Sequence, residues 1–302
     1  MRLLSFRSST DPIPRIGILR STDRVVDIAA SAAALDMHLP FDVSDMVGLI
    51  TAGARARPLL AEIAHRASSD LALDALELLA PIPHPRKNVF CVGWNYLEHF
   101  IEGEKHRTQA QDMPSFPTFF TKATTTVCGP YDDIAYFASL STQLDWEVEL
   151  AVVIGIAGRD ISRSDAMHHV FGVTVLNDLT WRDVQRRHGQ QWFKGKSIDG
   201  TCPMGPWIVT LDEANLRDLA LSTRVNGVVK QASNTSHMYF DIPAIIAELS
   251  RGLTLEPGDI IATGTPPGVG YARTPPEFLQ PGDVLETEVV GVGLLRNVIR
   301  AC

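Results

Sequence analysis

The residues with the clearest chemistry are acidic and close together in the chain. In the segment DWEVEL, 145–150, Glu147 and Glu149 stand two apart. In an extended strand alternate side chains share a face, so both carboxylates point the same way, roughly 7 Å apart, with Trp146, Val148 and Leu150 on the other side. The chain runs straight on into AVVIG, which reads as a buried strand. Two carboxylates at the end of a buried strand repel each other unless a proton or a cation lies between them. An exposed edge face fits the same spacing. A second apolar run, VFGVTVL, ends in Asn177-Asp178, where the chain leaves its sheet and Asp178 can supply a third oxygen. Three carboxylates with no Cys or His partner make a site for a hard cation, Mg2+, Mn2+ or Ca2+, with positions left for waters or substrate.

Other polar groups follow. Arg182, Gln185 and Lys196 lie in a polar loop or short helix; taken singly, each also fits a solvated side chain. In GWNYLEHFIEGEKHR, 93–107, His99 and Glu102 are three apart. On a helix they share a face, and a carboxylate that orients an imidazole makes a general base for activating water. A chance surface pair has the same spacing. The polar stretch 103–116 beyond them reads as a lid. The Gly/Pro-rich GDIIATGTPPGVG, 258–270, is neither a phosphate-binding P-loop nor a dinucleotide fingerprint, because no Gly-Lys-Ser/Thr follows and the glycine spacing is wrong. Its Thr265 and loop amides can hold a substrate carboxylate, or it is simply a tight turn between strands.

The elements that must position these groups are mostly strands. The chain has 302 residues, 45% hydrophobic and 21% charged, which are ordinary globular values that exclude disordered or fibrous classes. A formal charge of −8 argues against a nucleic-acid or anionic-membrane binder. Four scattered cysteines suggest neither a disulfide framework nor a zinc site, and with no signal-peptide pattern they point to a cytoplasmic protein. VELAVVIGIAG, 148–158, is too short to span a bilayer. Residues 1–80 read as a small α+β domain, with short strands first and then Ala/Leu/Ile-rich helical spacing from Val43 to about Leu79. PIPHPRK, 81–87, is a linker, and 88–302 carries the chemistry. In that part strand signals outnumber helices, which are expected at 162–170, capped by Ser162 or Ser164, and at 242–252, closing on Gly252. Asn226-Gly227 marks a two-residue hairpin turn. The pattern indicates a β-rich α+β fold rather than a doubly wound one.

In order along the chain the sequence shows NYxxHxxE at 95–102, PxxFxK at 117–122, DxExEL at 145–150, NDxxxRDxQ at 177–185 and QWxKGKS at 191–197. VNG with a following Gln, Asn-Thr and Met spans 225–238, PGDIIATGTPPGVG spans 257–270, and a Leu with Gly-Asp follows at 279–283. Together these segments resemble the fumarylacetoacetate hydrolase family over about 88–302. The resemblance implies a mixed β-roll core, a homodimer, and Mg2+ or Mn2+ on Glu147, Glu149 and Asp178. It implies His99 with Glu102 as the water-activating dyad, and Gln185 and Lys196 as groups that polarise a carbonyl and steady its oxyanion. Arg182 and Thr265 match substrate-contacting positions. The implied activity is hydrolytic C–C cleavage of an acylpyruvate or β-diketo acid, such as fumarylpyruvate or a diketo-deoxy sugar acid. The same cradle in the family also supports oxaloacetate decarboxylation, isomerisation of 2-hydroxyhepta-2,4-diene-1,7-dioate and hydration of 2-keto-4-pentenoate. A binding module without catalysis fits less well, since the reactive residues are intact. One departure is Trp94, which stands where many members carry a basic or small residue and can alter which substrate tail is accepted.

Overall fold

In the computed structural model, which describes residues 1–8, 11–104, 112–189, 191–214, 216 and 218–302, the strand Val148–Ile154 is buried along its whole length. Apart from Glu149 its sequence is apolar on both faces, so both must be covered. It pairs antiparallel with Val170–Asn177 on one side and with Ile260–Ala262 on the other. These are the centre of a twelve-stranded mixed sheet that continues through Val89–Gly93 to Thr118–Lys122 at one edge. In the other direction it runs through Cys202–Thr210 to Arg2–Ser8, Asp11–Leu19, Arg24–Asp27 and Leu71–Ala72. The protein is thus a strand-rich α+β molecule.

Side-chain parity divides the core. Ala151 and Val153 pack with Leu176, Cys91 and the apolar residues of 1–80 on one face. Val148, Leu150, Val152 and Ile154 pack with Val173, Val175 and the helix Ile242–Leu249 on the other. A five-stranded sheet, in the order Val228–Asn234, Ala220–Val225, Val284–Val289, Gly293–Ala301 and Ile134–Tyr136, lies beside the first. Its first hairpin turns at Asn226 and Gly227, with φ of 51° and 77°, the left-handed values that this turn needs. Beyond the central pair, the short strands Leu144–Asp145 and Thr180–Trp181 continue the same two chains as a separate ribbon.

Three local expectations are revised. Residues 71–79 form no α-helix: a single 3-10 turn at Leu73–Ala75 lies between Leu71–Ala72 and Leu76–Leu79, and the latter is a strand that pairs with Ser5–Ser8, an edge pairing that overrides the Leu/Ala spacing. Over 162–170 only Ala166–His169 makes one tight turn. The Ser162 hydroxyl bonds the Asp165 carboxylate at 2.8 Å, a local turn that competes with helix formation, and the strand Val170–Asn177 begins at once. The later helix is Ile242–Leu249, capped by Asp241 on the Ala244 amide at 2.9 Å. Among the described residues, no helix is long and apolar enough to cross a membrane.

The first eighty residues extend the central sheet, and their Leu3, Ile16, Ile18, Leu49, Ile50, Leu60 and Ile63 share one core cluster with Val89, Ala151 and Val153. Removing them would uncover this cluster and an edge of Cys202–Thr210. A chain starting at residue 81 is therefore expected to aggregate or to melt without cooperativity, as checked by size-exclusion chromatography and calorimetry. A soluble, cooperatively melting fragment would show that 88–302 folds alone.

Candidate active site

The register Val148↔Asn177 sets the acidic cluster. It places Glu147 opposite Asp178, and the Asp178 amide donates to the Glu147 carbonyl at 2.9 Å. Parity puts Glu147, Glu149 and Asp178 on the same side of the sheet as Ala151, Val153 and Leu176. One carboxylate oxygen from each lies within 4.8 Å of the others, and all three residues are buried. Asn177, on the opposite face, ties the corner: its Oδ1 accepts from the Glu147 amide at 2.9 Å, and its Nδ2 donates to Thr287 of the second sheet at 2.7 Å.

Three basic side chains are buried with these acids. Lys196 Nζ donates to Glu147 Oε2 and to Asp178 Oδ2, each at 2.6 Å. Lys122 Nζ lies 2.9 Å from Asp178 Oδ1 and donates to the Leu179 carbonyl at 3.1 Å. Arg182 bridges Asp145 at 2.7 Å and Glu147 at 2.6 Å. Burial opposes charge at Glu147, but Lys196 and Arg182 outweigh it and hold the carboxyl down at about 2. Burial also opposes the charge on Lys196, yet Asp178 and Glu147 win and raise it, so Lys196 is an ammonium donor and not a base. Glu149 goes the other way. Burial and the neighbouring Asp178 and Glu147 charges push it well above the ordinary carboxylate range. Its hydrogen-bond partner is the Gly264 amide, at 2.6 Å from Oε2.

With all groups ionised, Asp145, Glu147, Glu149 and Asp178 exceed Lys122, Arg182 and Lys196 by one negative charge. A divalent cation at the oxygen cluster would remove that deficit and relieve the repulsion on Glu149. The donor set, three carboxylates without sulfur or imidazole, therefore fits a hard cation.

His99 and Glu102 share the helix Leu97–Glu102, with His99 Nδ1 2.7 Å from Glu102 Oε1. Glu102 Oε2 accepts from the Gly268 amide at 2.8 Å, so the dyad is fastened to the 264–270 loop. The same loop puts its Gly264 amide on Glu149, so the dyad and the acidic cluster are held by one short segment. Asn95 clamps the base of this helix, donating to the carbonyls of Thr263 at 2.7 Å and Phe240 at 3.0 Å. Trp94, at a φ of 55°, packs edge-on against Trp192 and Phe100 with centroids at 4.8 and 5.8 Å. Phe120 extends that aromatic wall to Lys196, whose Nζ is 5.1 Å from its ring. Residues 105–111, half of the expected lid, lie outside the described residues.

The remaining candidates are also near. The Arg182 guanidinium is committed to Asp145 and Glu147, stacks over Tyr271 at 4.4 Å, and reaches Gln185 Oε1 at 3.3 Å. It braces the cluster from within, while Gln185 is half-buried on the same short helix, Arg182–Arg187. That helix lies directly against Phe193–Lys196: a Cβ on Gly195 would fall 2.3 Å from the Gln185 nitrogen, so only glycine lets Lys196 reach the acids. Thr265 Oγ1 accepts from Gln231 at 2.8 Å, beside the cluster. Sequence reasoning assigned no role to Lys122, Asp145 or Gln231. Each stood in a motif that resembles the family, PxxFxK, DxExEL and the VNG segment with its following Gln, but the motif alone did not say what the residue touches.

With the geometry in hand, comparison with known proteins is specific. The pattern of the fumarylacetoacetate (FAA) hydrolase C-terminal family matches residues 88–300. Oxaloacetate tautomerase YisK of Bacillus subtilis (strain 168) is 42% identical over 296 residues, 94% of this chain and 95% of that protein. Fumarylacetoacetate hydrolase from psychrophilic Exiguobacterium antarcticum is similar in structure with a TM-score of 0.84 and 38% identity, covering 100% of both chains. Maleylpyruvate hydrolase from Sphingobium sp. SYK-6, solved in complex with manganese(II) ion and pyruvate, gives a TM-score of 0.77 at 29% identity, covering 100% of this chain and 99% of the other. The chain belongs to the fumarylacetoacetate hydrolase family of enzymes.

Proposed function

We propose that this enzyme interconverts the keto and enol forms of oxaloacetate, using a divalent cation held by Glu147, Glu149 and Asp178. The observation that carries the reading is that the His99–Glu102 pair and the buried Lys196 are both tied to the acidic cluster, Glu102 through the loop whose Gly264 amide meets Glu149, and Lys196 through Glu147 and Asp178. The 42% identity to an oxaloacetate tautomerase over nearly the whole chain supports it. A keto acid's carboxylate and neighbouring carbonyl suit such a site. When bound, the cation supplies Lewis-acid polarisation of that carbonyl.

The chain's own groups then divide the work. His99 Nδ1 is engaged by Glu102, so Nε2 is the atom that takes the proton from the carbon next to the carbonyl. Glu102 steadies the resulting imidazolium, and the Gly268 amide keeps Glu102 in line. Lys196 faces the oxygen on which negative charge grows, with Gln185 as a further polar group on the adjoining helix. Return of the proton to that oxygen completes the enol, and the reverse sequence regenerates the keto form.

A second reading keeps every group and changes only what His99 Nε2 deprotonates. If that is water, attack on the distal carbonyl of an acylpyruvate cleaves a C–C bond and releases a 2-keto acid and a carboxylic acid. The likeness to maleylpyruvate hydrolase favours it.

Purified enzyme with Mg2+ is expected to accelerate the decay of enol-oxaloacetate absorbance well above the buffer rate. EDTA should abolish this, and His99→Ala should lower kcat by about 10²-fold or more. Faster cleavage of acetylpyruvate than tautomerisation would favour the hydrolase instead, and full activity in EDTA would remove the metal from either scheme. Glu149→Gln separates the cradle from the chemistry. Removing a carboxylate that repels its neighbours should leave the EDTA-treated protein melting at or above the wild type, whereas the Mg2+-induced rise in melting temperature should vanish. An unchanged Mg2+ response would show that Glu149 is not a ligand.

A further inference from the structure

Gln231 sits on the second sheet, 1% exposed, and uses all four of its hydrogen-bonding positions. Its Oε1 accepts from the Val148 amide at 3.1 Å and from the Thr223 hydroxyl at 2.8 Å. Its Nε2 donates to the Pro266 carbonyl and to Thr265 Oγ1, both at 2.8 Å. Two of these partners are backbone groups with fixed polarity. An amide N–H can only donate and a carbonyl can only accept, so the side-chain amide has one allowed orientation. The polarity of its hydroxyl partners follows: Thr223 must donate, and Thr265 must accept. Thr265 therefore keeps its own proton for another acceptor, and among the described residues no acceptor takes it. The preceding residue, Gly264, places its amide on Glu149 Oε2, so this spare donor stands at the rim of the acidic cluster.

We propose that Gln231 is a positioning residue that fixes Thr265 as a hydrogen-bond donor to the carboxylate of a 2-keto acid seated at Glu147, Glu149 and Asp178. This rests on the functional reading above for the class of ligand, not for the reaction. Reversing the polarity of residue 231 would turn the Thr265 hydroxyl away, leaving a lone pair against the substrate carboxylate.

The test is calorimetric titration of oxalate, a two-carboxylate probe that undergoes no turnover, into Mg2+-saturated enzyme. A hydrogen bond to a charged group corresponds to about 10- to 100-fold in affinity. Thr265→Val and Gln231→Glu should each weaken oxalate binding by about tenfold or more, with Mg2+ affinity alone not reduced. The double variant should bind no more weakly than Thr265→Val within about twofold, because Gln231 acts through Thr265. Gln231→Glu that binds oxalate like the wild type would overturn the proposal, as would losses that multiply in the double variant or Mg2+ affinity that falls in parallel. If Gln231→Glu does not fold, Thr265→Ser against Thr265→Val decides: serine retaining the affinity that valine loses supports the donor, and equal binding by valine refutes it. Wild-type enzyme that follows this binding pattern yet leaves oxaloacetate unchanged would support the Gln231 assignment and sink the tautomerase reading alone.

Discussion

Burying four carboxylates with only three basic side chains is the constraint on which the rest of this structure turns. Removing an ionised carboxylate from water costs several kcal/mol unless something compensates it. Asp145, Glu147 and Asp178 have Arg182, Lys122 and Lys196 against them, whereas Glu149 has a backbone amide. The surplus is local, and it falls where three oxygens converge. The basic groups restrain the acids without satisfying them, which is the condition under which a divalent ion binds strongly and does not merely visit.

The Gly/Pro-rich loop is the frame that holds the parts in mutual register. Three of its amides point at three different carboxylates: Gly264 at Glu149, Gly268 at Glu102, and Gly270 at Asp145, at 2.6, 2.8 and 2.7 Å. A loop rich in exposed N–H groups suggests an anion site, and this one has its anions built into the protein. Cluster, dyad and Arg182 brace are thereby fixed to one short segment. The second sheet backs it through Gln231, and backs the corner of the strand pair through Thr287 and Asn177.

The acidic cluster was legible because strand parity is rigid. A period of two forces Glu147 and Glu149 to one face, and a strand ending in Asn177-Asp178 brings the third oxygen to the same edge. The His99–Glu102 pair was legible for the same kind of reason, helical spacing. Fold class and the strands of 88–302 followed from apolar runs and turn residues. The segment 71–79 did not, since its fate was decided by an unpaired edge at Ser5–Ser8 that no local pattern reveals. Neither was the role of Arg182. From sequence it is a solvated side chain or, by resemblance, a substrate contact; in the fold it is buried and ion-paired to Asp145 and Glu147. Gln231 stood in a motif, but its contacts were not readable because its four partners come from three separate stretches of chain.

Tautomerisation and C–C hydrolysis share an enolate, so they share the groups that steady it, and the choice between them falls to what reaches His99 Nε2. A carbon-bound proton of a short dicarboxylate approaches from within the site, whereas water needs an open path and a distal carbonyl needs room for a tail. Aromatic rings gather around Trp94, a few residues before the dyad. Trp94 holds a left-handed backbone, uncommon for a bulky residue, and its ring packs against Trp192 and Phe100, with Phe120 filling the space toward Lys196. That aromatic wall offers a short, flat keto acid a surface to lie against, in keeping with the oxaloacetate reading proposed above.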